Sequence, residues 1–435
     1  MEKLEQKKKH KHIKKRQIRR NNAKLYPFYK MFAYDLLCFY SVEFLFYTIT
    51  KQITASQVLL INACYMIFRI LMQIPAVTLT DMLGRRKSMI TGNSLIFIYT
   101  ITLMVSPNIV GIIIAVLIRA LGFDIKTIVE TNLLYDSVST RGGEGLYSRI
   151  DSKGLSWYYW LDGILCLSAG YLFVLNNYLP MIICSVFALI STILSFRFKD
   201  VYTNNIENNK KIKIIDILSD YSEDLRTSMK FCLKSRRMRS YTIFGALFYG
   251  TIMLMDTYRS DLLVSSGIPE EQFATIMAVL IIIAGISVTL SVKIQKRFKN
   301  KTLTVISLTY IATCILVGVF ANATVSKITT PIIIVLFAIL KMCTAVWNNL
   351  EYKYLKNFTN EKNRNKIMFT YELIGAVSAS LLSIIGSIML KQFSINQAFL
   401  LVSLTVLVGI VLTLDYMRTR FGLKPKDYKK DDIEL

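Results

Sequence analysis

Glu43, Arg69, Arg119, Asp162 and Lys341 stand near the centres of long apolar stretches. An ionised side chain there costs several kcal/mol unless it is paired or faces water. Asp35, Asp124, Lys126, Glu130, Asp256 and Arg259 lie in the same stretches, nearer their ends. Buried carboxylates of this kind do one of two things. They take up and release protons, or they form ion pairs that fix how one helix is rotated against another. Glu43, Asp35 and Asp162 are the candidate proton carriers, and Arg119 is the cation that would compete with the proton for them. The only histidines, His10 and His12, sit in a basic N-terminal run. No imidazole is therefore available inside the apolar stretches, and a proton relay there must use carboxylates. On a continuous helix Asp35 and Glu43 would lie about 12 Å apart along the axis and roughly 80° apart in rotation, at two depths of one cavity. Lys126 and Glu130, four apart, would pair along one helix face.

The elements that carry these residues are set by hydropathy. The chain is 53% hydrophobic, and stretches of about 20 apolar residues must be helices in a bilayer, because hydrocarbon leaves backbone polar groups no other partner. Twelve such spans are expected, at 30–50, 58–80, 88–106, 110–131, 154–174, 178–196, 240–262, 271–292, 303–321, 331–352, 367–389 and 395–416. The domain plan follows: a basic tail (1–29), a six-helix bundle (30–196), a linker (197–239), a second six-helix bundle (240–416) and a C-terminal tail (417–435). The fold class is an all-α membrane protein.

About 45 of the 53 Lys and Arg residues fall in the two tails and in alternate gaps between spans. Only Lys51, Lys327 and Lys391 fall in the opposite gaps. Both termini are therefore expected in the cytoplasm. The net charge of +24 reflects topology; it calls for anionic lipid at the inner surface and for no nucleic acid. The N-terminal tail is expected to be a disordered anchor. In the linker, Ile214, Leu218, Tyr221, Leu225 and Met229 recur at helical spacing, predicting an amphipathic helix on the inner membrane surface.

Enzymatic chemistry finds no support. The chain has no phosphate-binding loop, no metal-ligand spacing and no nucleophile motif. Six of its seven cysteines are scattered through apolar spans and read as packing residues. No cofactor is expected. Trp157, Tyr158, Tyr159 and Trp160 open span five as an interfacial belt, with one or two of them facing inward.

The gap after span two reads VTLTDMLGRRK, residues 77–87. It resembles the G-x-L-a-D-r-x-G-r-k signature of the major facilitator superfamily. Asp81, Gly84, Arg85, Arg86 and Lys87 match; Val77 and Met82 depart. A weaker echo, KRFKNK (296–301), occupies the corresponding gap of the second half. The resemblance implies a gate at the inner mouth, with Asp136 as its acidic partner at the end of span four. Gly84 is expected to let a neighbouring helix end approach. Span four, with Arg119, Gly122, Tyr135 and Asp136, is similar to the R-x-x-G…YDS pattern of bacterial drug-exporter-like members. Two further stretches, YRSDLLVSSGIP and YLKNFTNEKNR, resemble turns of the same group. Span five, LDGILCLSAG, lacks the G-P-x-x-G-G motif of many drug/proton antiporters.

The resemblance implies a secondary transporter with a central site between two bundles, working by alternating access. It implies proton-coupled export of a small amphipathic compound across a bacterial plasma membrane. Arg69, Asp256, Lys341 and Trp347 are the candidate walls of the substrate cavity. Two alternatives remain at this point: import of a metabolite, or export of a peptide or lipid-like molecule, and a sensor or assembly partner that moves nothing.

Overall fold

The computed structural model describes residues 2–138, 143–201, 214–266, 268–322, 329–358 and 364–421. Every regular element among them is helical. In chain order these are α1 (Glu2–Ala33), α2 (Glu43–Leu45) running into a π-helical turn (Phe46–Thr50), α3 (Ala55–Leu83), α4 (Arg85–Val105), α5 (Ile109–Val138), α6 (Gly143–Leu175) and α7 (Leu179–Ser195). After the linker come α8 (Ile214–Lys234), α9 (Arg236–Ser265), α10 (Glu270–Phe298), α11 (Thr302–Asn322), α12 (Thr329–Phe358), α13 (Arg364–Gln392) and α14 (Ile395–Phe421). Span one is α1 with α2, spans two to six are α3 to α7, and spans seven to twelve are α9 to α14. Among the described residues, eight helices are long and apolar enough to cross a bilayer by themselves. Those that fall short include α5 and α9, which carry most of the interior charge. Large apolar side chains such as Val105, Leu175 and Leu412 stay exposed, as lipid-facing residues must.

The chain divides into two compact units. One comprises Met1–Phe46 and Phe68–Leu218, the other Tyr47–Ile67 and Ser219–Leu435. The second unit thus includes a stretch, Tyr47–Ile67, that hydropathy alone assigns to the first bundle. Hydroxyl bonds account for it: Ser56 bonds the Ser387 carbonyl at 2.9 Å, and Asn62 donates to Thr257 at 3.2 Å.

In the first unit α1 lies along α6 and touches α5 and α7, and α4 packs on α5 and α7. The α4–α5 crossing is close because it is built on two glycines. A Cβ on Gly92 would stand 3.0 Å from the Lys126 amide nitrogen, and one on Gly122 would stand 3.1 Å from the Gly92 carbonyl oxygen. The glycine of R-x-x-G is therefore a packing requirement that brings Lys126 beside α4. Tyr29, Ile125, Val129, Leu134 and Phe198 fill the core of this unit. In the second unit α9 packs on α13 and α14, α10 on α12, and α11 on α12 and α14.

Two expectations are corrected here. The basic stretch before residue 30 is helical from Glu2 onward, as its Lys, Arg, Gln and Glu content favours. Its later turns are also buried, with Asn22, Tyr26 and Tyr29 at 3%, 1% and 0% exposure, so the packed part of α1 begins earlier than hydropathy indicates. Second, span one is not a continuous helix. Regular helix stops at Ala33 and resumes at Glu43. The expected amphipathic linker helix is present as α8, and Ser235 caps the start of α9 by accepting from the Met238 amide.

Candidate functional site

The break in span one is held by groups that take over its backbone hydrogen bonds. A helix end inside a membrane leaves carbonyls and amides without partners, and hydrocarbon supplies none. Lys126 of α5, 3% exposed, donates its ammonium to the carbonyls of Ala33 and Tyr34. A cation there also complements the negative end of the α1 dipole. Asp35 accepts from the Leu36 amide at 2.8 Å, a local bond that competes with helix. Asp162 of α6 accepts from the Cys38 amide at 3.0 Å. Cys38 has a φ of 65°, a left-handed conformation that a side chain with a Cβ rarely adopts.

Unwinding the segment brings Asp35, Tyr40, Arg119 and Glu43 into one chain of contacts. The Tyr40 hydroxyl bonds both Asp35 oxygens at 3.0 Å and accepts from the Arg119 guanidinium at 2.5 Å. Arg119 also lies 4.0 Å from Glu43 Oε1. The guanidinium sits over the rings of Phe39, Tyr40 and Tyr99 at about 5.5 Å, a cation–π setting for a charge with little water around it. A cavity of about 10 Å³ opens beside the break, lined in part by Asp35, Asn93, Arg119 and Lys126. It has room for about one water molecule. One layer further along α5, Glu130 accepts from Tyr29 at 2.6 Å, and Tyr29 accepts from Asn93 at 2.7 Å.

The turn between α3 and α4 holds the motif residues. Gly84 has φ 76° and ψ 165°, a region open essentially to glycine alone. Nothing lies within 4 Å of where its Cβ would be. Backbone conformation therefore requires the glycine, and close approach of a neighbour does not. Arg85 forms an ion pair with Asp136 and donates to the Asn132 carbonyl at 3.2 Å. The Arg86 amide donates to Asp200 and its guanidinium to the Phe196 carbonyl, while Lys87 is exposed. The Asp81 side chain lies outside the described residues. In the second unit the corresponding turn again has a positive φ, here at Lys299 (46°).

In that second unit Asp256 receives two cations. Arg259 reaches one carboxylate oxygen at 2.6 Å and Lys341 the other at 2.8 Å. In the C-terminal part of α12, Glu351 is 6% exposed and accepts from the Tyr371 hydroxyl at 2.6 Å.

The family model of the Major Facilitator Superfamily matches residues 31–350. The chain belongs to this superfamily. A relative from Bacillus subtilis (strain 168), the uncharacterized MFS-type transporter YxaM, is 23% identical over 383 residues, covering 86% of this chain and 90% of the relative. Among solved structures, the nucleoside transporter NupG covers 94% of this chain and 100% of its own, with a TM-score of 0.69 and 10% identity. A bacterial homologue of the human lysosomal transporter Spinster covers 97% and 99%, with a TM-score of 0.66 and 12% identity. A bacterial homologue of the iron transporter ferroportin covers 93% and 99%, with a TM-score of 0.65 and 13% identity. These likenesses share the fold. Members of the superfamily are transporters and not enzymes, so this facilitator is a multi-pass membrane transporter of small molecules.

Of the facilitator's sequence-derived candidates, the structure brings Asp35, Glu43 and Arg119 together and sets Asp162 of α6 against the same broken segment. Several others have different partners from those expected. Arg69 is bound to Asp124, with two nitrogens at 3.1 Å from one oxygen. Lys126 serves the end of α1 and forms no ion pair with Glu130. Trp347 is fully buried among Tyr241, Phe244 and Phe248, an aromatic core residue and not a cavity wall. Of the four aromatics opening span five, Tyr158 alone is buried, against Tyr34 at 4.8 Å. Sequence reasoning missed Tyr40, Glu351 and the role of Lys126. A tyrosine in an apolar span carries no visible signal, because tyrosines are common there.

Proposed function

We propose that this facilitator couples the movement of a small amphipathic compound to protons, by alternating access, and moves it outward. What supports the reading is the connected set Asp35–Tyr40–Arg119–Glu43 at the break in span one. Glu43 is 4.0 Å from Arg119, and Arg119 is linked to Asp35 through the single Tyr40 hydroxyl. A proton on Glu43 removes one half of that ion pair and releases Arg119. Tyr40 then transmits the change to Asp35 and to the unwound backbone. Protonated and deprotonated forms thus favour different conformations, which is the requirement for coupling. Asp162 of α6, which accepts from the Cys38 amide of the same segment, is the reserve carboxylate. Arg85 with Asp136 forms the gate at the basic end, with Asp81, Gly84, Arg86 and Lys87 completing it. The membrane is the bacterial plasma membrane, both termini are cytoplasmic, and the basic face lies on anionic lipid.

A second reading, proton-linked import, draws support from span five, where LDGILCLSAG stands in place of the glycine-rich antiporter motif. The test uses inside-out vesicles holding this protein at known abundance. Accumulation of amphipathic compounds is measured with and without an imposed proton gradient, and the same series is run in right-side-out vesicles. Export predicts gradient-dependent accumulation in the inside-out vesicles alone. Accumulation in right-side-out vesicles alone establishes import, and flux indifferent to the gradient removes the coupling.

A further inference from the structure

The second unit holds a buried charge imbalance. Arg259 and Lys341 share one carboxylate, Asp256, so the cluster has two positive charges and one negative. Arg259 is 5% exposed. Among the described residues it gives a hydrogen bond to Asp256 alone, and its Nε is buried with no partner. No other acid forms an ion pair with either base among the described residues. Asp261, the next acid along α9, has no part in the cluster. The Asp256 side chain is one-third exposed and that of Lys341 19%, so the group can be reached from outside the packed core.

Physics makes such an arrangement unusual. Two like charges held on one carboxylate repel, and a buried guanidinium with an idle donor keeps part of its desolvation cost. A purely structural pair would need one base. The second base, with a planar fork that still has donors to give, matches the geometry of a carboxylate or phosphate. We propose that Arg259 and Lys341 bind a single anionic group of the transported molecule, a carboxylate or a phosphate, with Asp256 offsetting only one of their two charges. This deepens the transporter reading and rests on it: the substrate class is a compound bearing one negative group.

The charge count supplies a test with opposite signs. The full chain is purified in detergent, and binding is followed by thermal stabilisation and calorimetry at fixed ionic strength. The probes are benzoate, benzamide and inorganic phosphate. Benzoate and benzamide have nearly the same shape and differ in charge. Wild type is expected to bind benzoate, phosphate or both at least tenfold more tightly than benzamide, and which of the two anions does so identifies carboxylate or phosphate. Arg259→Gln and Lys341→Gln each cancel the surplus charge and should weaken anion binding about tenfold. Asp256→Asn raises the surplus and should strengthen it about tenfold, close to 1.4 kcal/mol. Lys341 is the less buried base, so its variant serves if Arg259→Gln fails to fold.

Equal binding of benzoate and benzamide, with no binding of phosphate, overturns the proposal. So does an Asp256→Asn variant that remains folded and binds the anions more weakly than wild type. Flux is measured separately. A protein that obeys the charge rule but moves no solute keeps the site and loses the transporter reading. One that moves a neutral or cationic solute and ignores the anions keeps the transporter reading and loses the site.

Discussion

Replacing Lys126 with methionine tests whether the break in span one is held by tertiary contacts. The substitution keeps the length and apolar stem of the side chain but removes its ammonium. Two carbonyls, the buried one of Ala33 and the part-buried one of Tyr34, then lose their donor. Each unsatisfied carbonyl costs about 1–3 kcal/mol, and the lost cation at a helix C-terminus adds up to about 2 kcal/mol. Against this stands the relief of no longer burying an ammonium, several kcal/mol in the other direction. With the carbonyl and helix-end losses at the top of those ranges, about 8 kcal/mol, and an ammonium relief of about 5 kcal/mol, the break is destabilised by about 3 kcal/mol, or about a hundredfold more of its locally open forms. Cys38 reports on that opening, because it lies in the break and is fully buried in the closed state. In a background with Cys38 as the sole cysteine, its reaction with a small thiosulfonate reagent should accelerate about a hundredfold in Lys126→Met. A rate within twofold of the parent, in protein that is equally monodisperse, refutes the assignment of Lys126 as the clamp. The break would then rest on the 34–42 sequence and on Asp162.

Three other outcomes are expected. Glu43→Gln should abolish gradient-driven transport while leaving counterflow exchange at least partly intact, and Asp35→Asn should be milder; concentration of substrate by Glu43→Gln as well as by wild type would reduce Glu43 to an ion-pair member and make Asp162 the next carboxylate to examine. Arg85→Ala, which loses the pair with Asp136, and Asp81→Asn should each lower transport about tenfold or more at normal membrane abundance, and wild-type flux in both would remove the gate. A reporter that is active only in an oxidising exterior, fused after Leu435, should remain inactive; activity would mean that the C-terminus is outside and the charge-based orientation is inverted.

The number and order of spans, the fold class and the family were all present in the sequence, because each is a property of local composition and spacing. About 20 apolar residues impose a helix wherever they occur in a bilayer. The motif at 77–87 was legible for the same reason: its residues lie within one turn and its consequence, a positive φ at Gly84, is local. The tertiary structure alone decided which charges meet. Arg119 and Tyr40 are separated by 79 residues, Lys126 and the Ala33 carbonyl by 93, and Asp256 and Lys341 by 85. Helical periodicity pairs residues three or four apart, and so it joined Lys126 to Glu130 and placed Asp35 and Glu43 on one continuous helix. The packing of α4 on α5 through Gly92 and Gly122, and of α6 along α1, set Lys126 and Asp162 against the backbone of span one. Once those side chains satisfy the backbone, the helix no longer needs its own hydrogen bonds there, and the break becomes the stable state.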